Sequence, residues 1–131
     1  MKARTNPPER LIAAYGLEEA KLRELSLFCD RESIRLRAVL PQEADCTVMQ
    51  LISGTLPAES ICREPPQAEC LIFAGFDRPA LSETVDALRA AGLRVALKAI
   101  ATPSNIGWKL SDLLAELARE HEYMAARGGN K

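Results

Sequence analysis

The sequence predicts a single α/β domain built from two copies of one β-α-β-α unit around a four-stranded, mainly parallel sheet. Segments that begin at Leu11 and Leu71 match with small shifts, and Gly16 to Ala38 aligns in one register with Gly75 to Leu97. Each segment alternates short apolar runs with stretches of helical periodicity. The 131 residues, 47% of them hydrophobic, suffice to bury one core of this size. We expect one domain over residues 1–131, with copies at 10–53 and 70–126 and a connector at 54–69.

The strand order follows from a difference between the two strands of each copy. The first strands, RLIAAY and CLIFAG, are apolar at nearly every position, as in strands that are covered on both faces. Basic residues on one face of the second strands are typical of edge strands: Arg35, Arg37, Arg94 and Lys98. We therefore expect the order 2-1-3-4 with two helices on each face. A ferredoxin-like α+β arrangement is the alternative, and it would place these four side chains on one open face.

Capping residues indicate where the first helix of the second copy begins and ends. Asp77 is the expected N-cap, and Pro79 fits the first turn because the ring needs no amide partner there. Gly92 is the expected left-handed residue after the helix, and we expect the next strand to begin at Leu93.

The last helices of the two copies differ at their starts. TVMQ from Thr47 is a capping box, whereas the equivalent KLSD starts with Lys109, which cannot accept a hydrogen bond from helix amides. The last helix therefore begins at Ser111 or is capped by loop atoms. In this alignment the second copy has three extra residues in the loop that includes Thr102 to Trp108.

That loop carries the chemistry best suited to a ligand. Hydroxyl and amide groups, a cation at the end of a strand and an aromatic stacking face could hold a small polar or anionic molecule. The candidate ligand-binding residues are Lys98, Thr102, Ser104, Asn105, Trp108 and His121. The competing interpretation is that the same residues shape a turn before the last helix.

The carboxyl ends of the strands define where a ligand would bind in a doubly wound sheet. In the expected arrangement, that crevice is bordered by Tyr15–Glu19, Gly75–Pro79 and the loop at Thr102–Trp108. Neither a G-x-G-x-x-G motif nor a P-loop occurs at a strand-to-helix turn, which argues against nucleotide binding of the usual kinds.

Composition excludes several classes of function. Seventeen basic and eighteen acidic residues give a net charge of -1, so bulk electrostatics select neither nucleic acid nor anionic membrane. One histidine and four cysteines without a C-x-x-C pair do not suggest a metal site, and we expect reduced, mostly buried thiols and no cofactor. With neither an apolar leader nor a membrane-spanning run, we expect a cytoplasmic protein.

A set of short motifs lies in the second copy between Cys70 and Met124. They are Gly75-Phe76, Leu97-Lys98-Ala99, Thr102-Pro103-Ser104-Asn105, Trp108 and Glu120-His121-Glu122. In these motifs the chain resembles an uncharacterised bacterial family known as domain of unknown function 3783. Residues 1–69 are less similar to it, and Lys109 stands where the family often has a hydroxyl residue. The resemblance implies a set of shared positions but no reaction.

Three functional hypotheses follow. The first is a module without catalysis that binds a small polar ligand or a protein partner, which includes a homodimer. The second is an enzyme with Lys98, Asn105 and His121 around the loop. The third is a nucleic-acid module, which requires all four basic strand residues on one exposed face.

Overall fold

Strands and helices alternate in both halves of the chain, in a computed structural model that describes residues 10–54 and 65–128. The first half contains β1 (Leu11–Tyr15), α1 (Glu19–Glu32), β2 (Arg35–Val39) and α2 (Val48–Ser53). The second half contains β3 (Cys70–Ala74), α3 (Arg78–Ala90), β4 (Leu97–Ile100) and α4 (Leu110–Gly128). Most of the expected connector lies outside the described residues, as does Cys62.

The sheet has the predicted order, β2-β1-β3-β4, but it is mixed rather than mainly parallel. β1 pairs with β2 and β3 pairs with β4 in parallel, whereas the central pair β1–β3 is antiparallel. We call the end where β1 and β2 finish and β3 and β4 start the first end of the sheet, and the opposite end the second end. The α/β class and the edge positions of β2 and β4 are confirmed.

The antiparallel centre has a local cause at the first end. Tyr15 pairs with Cys70, and its hydroxyl donates to the carbonyl of Pro66 at 2.8 Å. Gly16 lies against the backbone of Ala68. Because residues 65–69 lie against the carboxyl end of β1, β3 starts where β1 finishes and runs in the opposite direction.

Two apolar layers cover the sheet, with two helices on each face as predicted. One layer lies between the sheet and α1 and α3, and it includes Ile12, Leu25, Phe28, Phe73 and Leu88. The other lies between the sheet and α2 and α4, and it includes Ala13, Val48, Leu51, Ile72, Leu110 and Leu114. Cys29, Cys46 and Cys70 are free and buried in these layers, as expected. No helix among the described residues is long and apolar enough to span a membrane.

Helix caps at three predicted positions are confirmed. The side chain of Asp77 accepts from the amide of Ala80 at 2.8 Å, and Gly92, two residues after the end of α3, has a φ of 80°. At the start of α2, the Thr47 hydroxyl accepts from the Gln50 amide, and the Gln50 side chain accepts from the Thr47 amide.

The extra residues of the second copy lie before β4, not in the loop after it. Leu11 pairs with Arg35 and the aligned Cys70 pairs with Leu97, so the structural equivalent of Arg35 is Leu97. Three residues, Arg94 to Ala96, therefore have no counterpart in the first copy. The expected strand start at Leu93 is wrong for the same reason, because β4 begins only after this insertion.

The first amides of α4 donate to the other half of the chain. The amide of Leu110 donates to the carbonyl of Cys46 at 2.8 Å, and that of Ser111 donates to the carbonyl of Ala44 at 2.7 Å. The helix thus begins at Leu110 and not at Ser111, and backbone carbonyls replace the side-chain cap that Lys109 cannot supply.

The first amides of α2 return this contact. The amide of Val48 donates to the carbonyl of Trp108 at 3.0 Å, and that of Met49 donates to the carbonyl of Ile106 at 2.9 Å. Thr47 and Lys109, which the sequence alignment equates, form an antiparallel bridge between the two helix starts. In the sheet, Ala13 likewise pairs with its equivalent Ile72. The two halves are therefore related by a pseudo-twofold axis through these two contacts.

We predict that Gly16→Ala destabilises the fold much more than Gly92→Ala. Both glycines have positive φ values, 79° and 80°, so each substitution incurs backbone strain of about 1–2 kcal/mol. A Cβ at Gly16 would also collide with the carbonyl of Ala68, whereas a Cβ at Gly92 meets nothing within 4 Å. We expect the free energy of urea unfolding to fall by more than about 3 kcal/mol for Gly16→Ala. Equal losses for the two variants would contradict the close packing of residues 65–69 against β1.

Candidate functional site

The loop Thr102–Trp108 shares several hydrogen bonds with its equivalent in the first half, Leu40–Cys46. The Thr102 amide donates to Oδ1 of Asn105 at 2.9 Å, and the Leu40 amide donates to Oε1 of Glu43 at 2.8 Å. The amide of Trp108 donates to the Asn105 carbonyl at 3.0 Å, and the amide of Cys46 donates to the Glu43 carbonyl at the same distance. The loop is therefore one of two equivalent turns, each placed to start a helix and to cap the other.

The polar groups of this loop are largely used within it. Oδ1 of Asn105 accepts from the Thr102 amide, and Nδ2 donates to the carbonyl of Ile100 at 2.9 Å. Ser104 is exposed, and Trp108 has 43% of its surface exposed while its carbonyl caps α2. Thr102, Ser104, Asn105 and Trp108 thus belong to a turn, and none of them lines the cleft beside β4 that is described below.

The other two candidate residues, Lys98 and His121, lie away from this loop. Lys98 is four residues before Thr102 in β4, about 13 Å along an extended chain. His121 is eleven residues after Leu110, about 16 Å along α4. Both line a cleft at the first end of the sheet, whereas the loop follows β4 at the second end. The structure does not bring Lys98, Asn105 and His121 together.

The crevice expected from a parallel sheet does not form either. Because β1 and β3 are antiparallel, Tyr15–Glu19 lies at the first end, while Gly75–Pro79 and the loop after β4 lie at the second. The segments that were expected to border one site are therefore on opposite ends of the sheet.

A cleft of about 510 Å³ lies beside the edge strand β4 at the first end. The inserted residues Arg94 to Ala96 form part of its wall, and His121 approaches from α4. Its apolar lining includes Leu71, Val85, Leu88, Leu93 and Val95. Its ionisable lining consists of Glu69, Arg89, Arg94, Lys98 and His121.

One ion pair joins the two halves of the chain at this cleft. Nζ of Lys21 in α1 donates to both carboxylate oxygens of Glu69, at 2.8 and 3.0 Å. The same ammonium donates to the carbonyl of Arg94 at 2.9 Å, so all three N–H groups of Lys21 form hydrogen bonds. Lys21 therefore neutralises the acidic residue of the cleft and fixes the backbone of the insertion.

The remaining cations of the cleft keep donors available. Nζ of Lys98 donates to the carbonyl of Val95 at 2.7 Å, so two of the three N–H groups of Lys98 remain able to donate to a ligand. Arg89 approaches Asp86 only to 3.8 Å, and both side chains are mostly exposed. The guanidinium of Arg94 has no hydrogen bond or ion pair within the part of the chain that the structure describes. The cleft therefore has an excess of positive charge.

The sequence indicates Lys98 and His121 as candidate residues, but it does not show that Arg89 and Arg94 line the same cleft. The sequence places Arg94 in an edge strand because Leu93, Val95 and Leu97 continue an alternating pattern. The insertion could have been recognised from the segment after Gly92, which is three residues longer than the equivalent segment of the first copy. His121 is exposed on α4.

Thiol and metal chemistry have little support among the described residues. Burial raises the pKa of Cys29 to about 11, and the charge of Asp30 adds to this effect. Burial raises the pKa of Cys70 to about 12, an increase that the nearby charge of Lys98 only partly offsets. Both thiols are therefore poor nucleophiles at neutral pH. No group of three or more His, Cys, Asp or Glu residues suited to a metal ion occurs in residues 10–54 and 65–128.

The four basic strand residues do not share one face. Arg35 and Arg37 lie on the edge strand β2, on the face that carries α2. Lys98 lies on the opposite edge strand β4, which Arg94 precedes, and it pairs with Leu71 of the face that carries α1 and α3. Three strand spacings separate the two edges, about 14 Å. The condition set for a nucleic-acid module is therefore not met.

We predict that Asn105 supports the fold through both of its side-chain groups. Asn105→Asp keeps the acceptor for the Thr102 amide and loses the donor to Ile100, so we expect a loss of about 1 kcal/mol in the free energy of unfolding. Asn105→Ala loses both bonds, and we expect about 2 kcal/mol. Ser104→Ala is the matched control, because Ser104 is exposed and makes no such bond. Unchanged urea unfolding of Asn105→Ala would contradict a turn-forming role.

The second half of the chain matches a known family. Residues 69–124, less than half of the 131, match the model of a domain of unknown function, DUF3783. No curated protein and no solved structure matches the chain. The match covers β3, α3, β4 and the first part of α4, and so includes the whole insertion before β4. Residues 69–124 therefore match the family that the motifs of the second half indicated.

Proposed function

We propose that this chain is a binding module that holds a small anionic ligand in the cleft beside β4. The observation that carries the proposal is the convergence of Arg89, Arg94, Lys98 and His121 on one cavity. Its volume, about 510 Å³, lies in the range that small-molecule sites occupy.

The balance of charge in the cleft favours an anion. Its one lining carboxylate, Glu69, already receives two hydrogen bonds from Lys21, with side-chain exposures of 30% and 25%. Arg94 offers a planar set of donors that matches a carboxylate or phosphate, and Lys98 offers a point charge. An anion would thus gain new partners without breaking an existing ion pair.

The apolar lining supports a ligand that also has a carbon skeleton. Val85 is half-buried at the cleft, and Leu88, Leu93 and Val95 form its floor with only a few per cent of their surfaces exposed. Apolar contact here is small in area, so charge and hydrogen bonding would supply most of the affinity. We therefore favour a compact polyanion over a long-chain amphiphile.

A binding role is better supported than catalysis. Lys98 and His121 both line the cleft, but its lining carboxylate, Glu69, is held by Lys21, and burial raises the pKa of the Cys70 thiol to about 12. No nucleophile paired with a base is therefore found among the residues that line the cleft.

We predict that citrate or inorganic pyrophosphate raises the Tm of the protein beyond the effect of sodium chloride at the same ionic strength. A ligand present at 100 times its Kd stabilises the native state by about 2.7 kcal/mol, which is readily measured by thermal unfolding. Calorimetric titration should show about tenfold weaker binding for Arg94→Ala, because this substitution removes the unpaired guanidinium.

Arg119→Ala is the control for loss of one positive charge. Arg119 is exposed on α4, pairs with Glu116 at 2.7 Å and does not line the cleft. Its substitution should leave anion binding unchanged. If neither anion stabilises the protein, or if both substitutions weaken binding equally, an anion site at this cleft is contradicted.

A further inference from the structure

The free edge of β2 has the backbone and side-chain groups needed to take an added strand. We propose that an extended acidic segment of a partner protein, with apolar and acidic residues in alternation, binds there as a fifth strand. This surface is on the opposite edge of the sheet from the proposed anion cleft, so neither proposal depends on the other.

Four backbone groups of β2 face outwards. The amide of Arg35 donates to the carbonyl of Arg10, and the parallel pairing with β1 uses every second residue of β2. The N–H and C=O groups of Leu36 and Ala38 therefore point away from β1. They have no partner within the described ranges, and their spacing is that of one strand ladder.

A groove of about 390 Å³ lies beside these groups on the face that carries α1. Leu22, Leu36 and Ala38 form its apolar part. Arg23 and Glu19, which also line it, pair with each other at 3.3 Å and are largely exposed, so they add little net charge. Every second side chain of an added strand would enter this groove, which favours apolar residues at those positions.

The other face of β2 is basic. Arg35 and Arg37 alternate with Leu36 and Ala38 and lie on the face that carries α2. Nε of Arg37 is buried and has no hydrogen-bond partner among the described residues. The intervening side chains of an added strand would lie next to these arginines, which favours aspartate or glutamate at those positions.

The same arginines argue against a second copy of this chain as the occupant. In an antiparallel β2–β2 contact that pairs Leu36 with Ala38, Arg37 would lie directly opposite Arg37. Pairing Leu36 with itself would place Arg35 opposite Arg37. Like charges in these positions are destabilising. Basic residues at this edge thus discourage self-association and select an acidic strand.

The edge of β4 is less suited to the same role. The outward carbonyl of Ile100 already accepts from Nδ2 of Asn105. The structurally equivalent carbonyl, that of Ala38, has no such donor, because Glu43 stands in place of Asn105 and its carboxylate cannot donate. Strand addition is therefore expected at β2 and not at β4.

The test uses the whole protein and a fluorescent, blocked peptide of alternating glutamate and valine. We expect the peptide to bind, and we expect the amides of Leu36 and Ala38 to gain hydrogen-exchange protection by NMR. A lysine–valine peptide of the same length should not bind. Arg35→Glu should weaken binding about tenfold and Arg78→Glu, a charge-matched change on exposed α3, should not. Ala38→Pro removes one outward donor and should weaken binding of the glutamate–valine peptide.

Each alternative outcome contradicts the proposal. Binding without protection of the two amides would indicate a purely electrostatic contact. Protection that rises with protein concentration in the absence of peptide would identify a second copy as the occupant. No binding of the glutamate–valine peptide by the folded protein would exclude the acidic strand itself.

Discussion

The structure depends on a contact that the two halves of the chain make reciprocally. The starts of α2 and α4 are capped by backbone carbonyls from the opposite half, through four hydrogen bonds of 2.7–3.0 Å. A buried amide that loses its acceptor costs about 1–3 kcal/mol, so neither helix start is satisfied without the other half. The antiparallel pairing of β1 with β3 joins the same halves in the sheet. Fold and stability are therefore properties of the pair of β-α-β-α units.

The two proposed binding sites lie where this symmetry is broken. The insertion Arg94–Ala96 builds the cleft in one half only, and Lys21 of the other half fixes its backbone. Asn105 covers the edge of β4, while its counterpart Glu43 leaves the edge of β2 open. The two edges of one sheet thus have different chemistry: a cationic cavity lies at β4, and an open strand edge lies at β2.

The strand order could be predicted because the residue types of each strand indicate whether it is buried on both faces or lies at an edge. Both central strands are apolar throughout, and the arginines of β2 identify an edge. The direction of β3 relative to β1 could not be predicted, because a strand that is covered on both faces has the same composition in either direction. That direction depends on contacts of residues 65–69 with Tyr15 and Gly16, which join segments far apart in the sequence.

The site was only partly predictable for a similar reason. Lys98 and His121 stand out by residue type, but the insertion is hidden because Leu93, Val95 and Leu97 alternate as a strand would. Only the hydrogen-bonded register, with Leu97 opposite Cys70, shows that the strand begins later. The polar groups of the loop at Thr102–Trp108 suggest a ligand site, but in the structure the side chain of Asn105 forms hydrogen bonds that hold a turn.

The reciprocal contact is tested most directly by NMR scalar couplings across hydrogen bonds. Couplings should connect the amide nitrogen of Leu110 with the carbonyl carbon of Cys46, and that of Val48 with the carbonyl carbon of Trp108. Observation of both couplings in the full-length protein is the result that the account predicts. Couplings of these two amides to acceptors in their own half would contradict the pseudo-twofold exchange of caps.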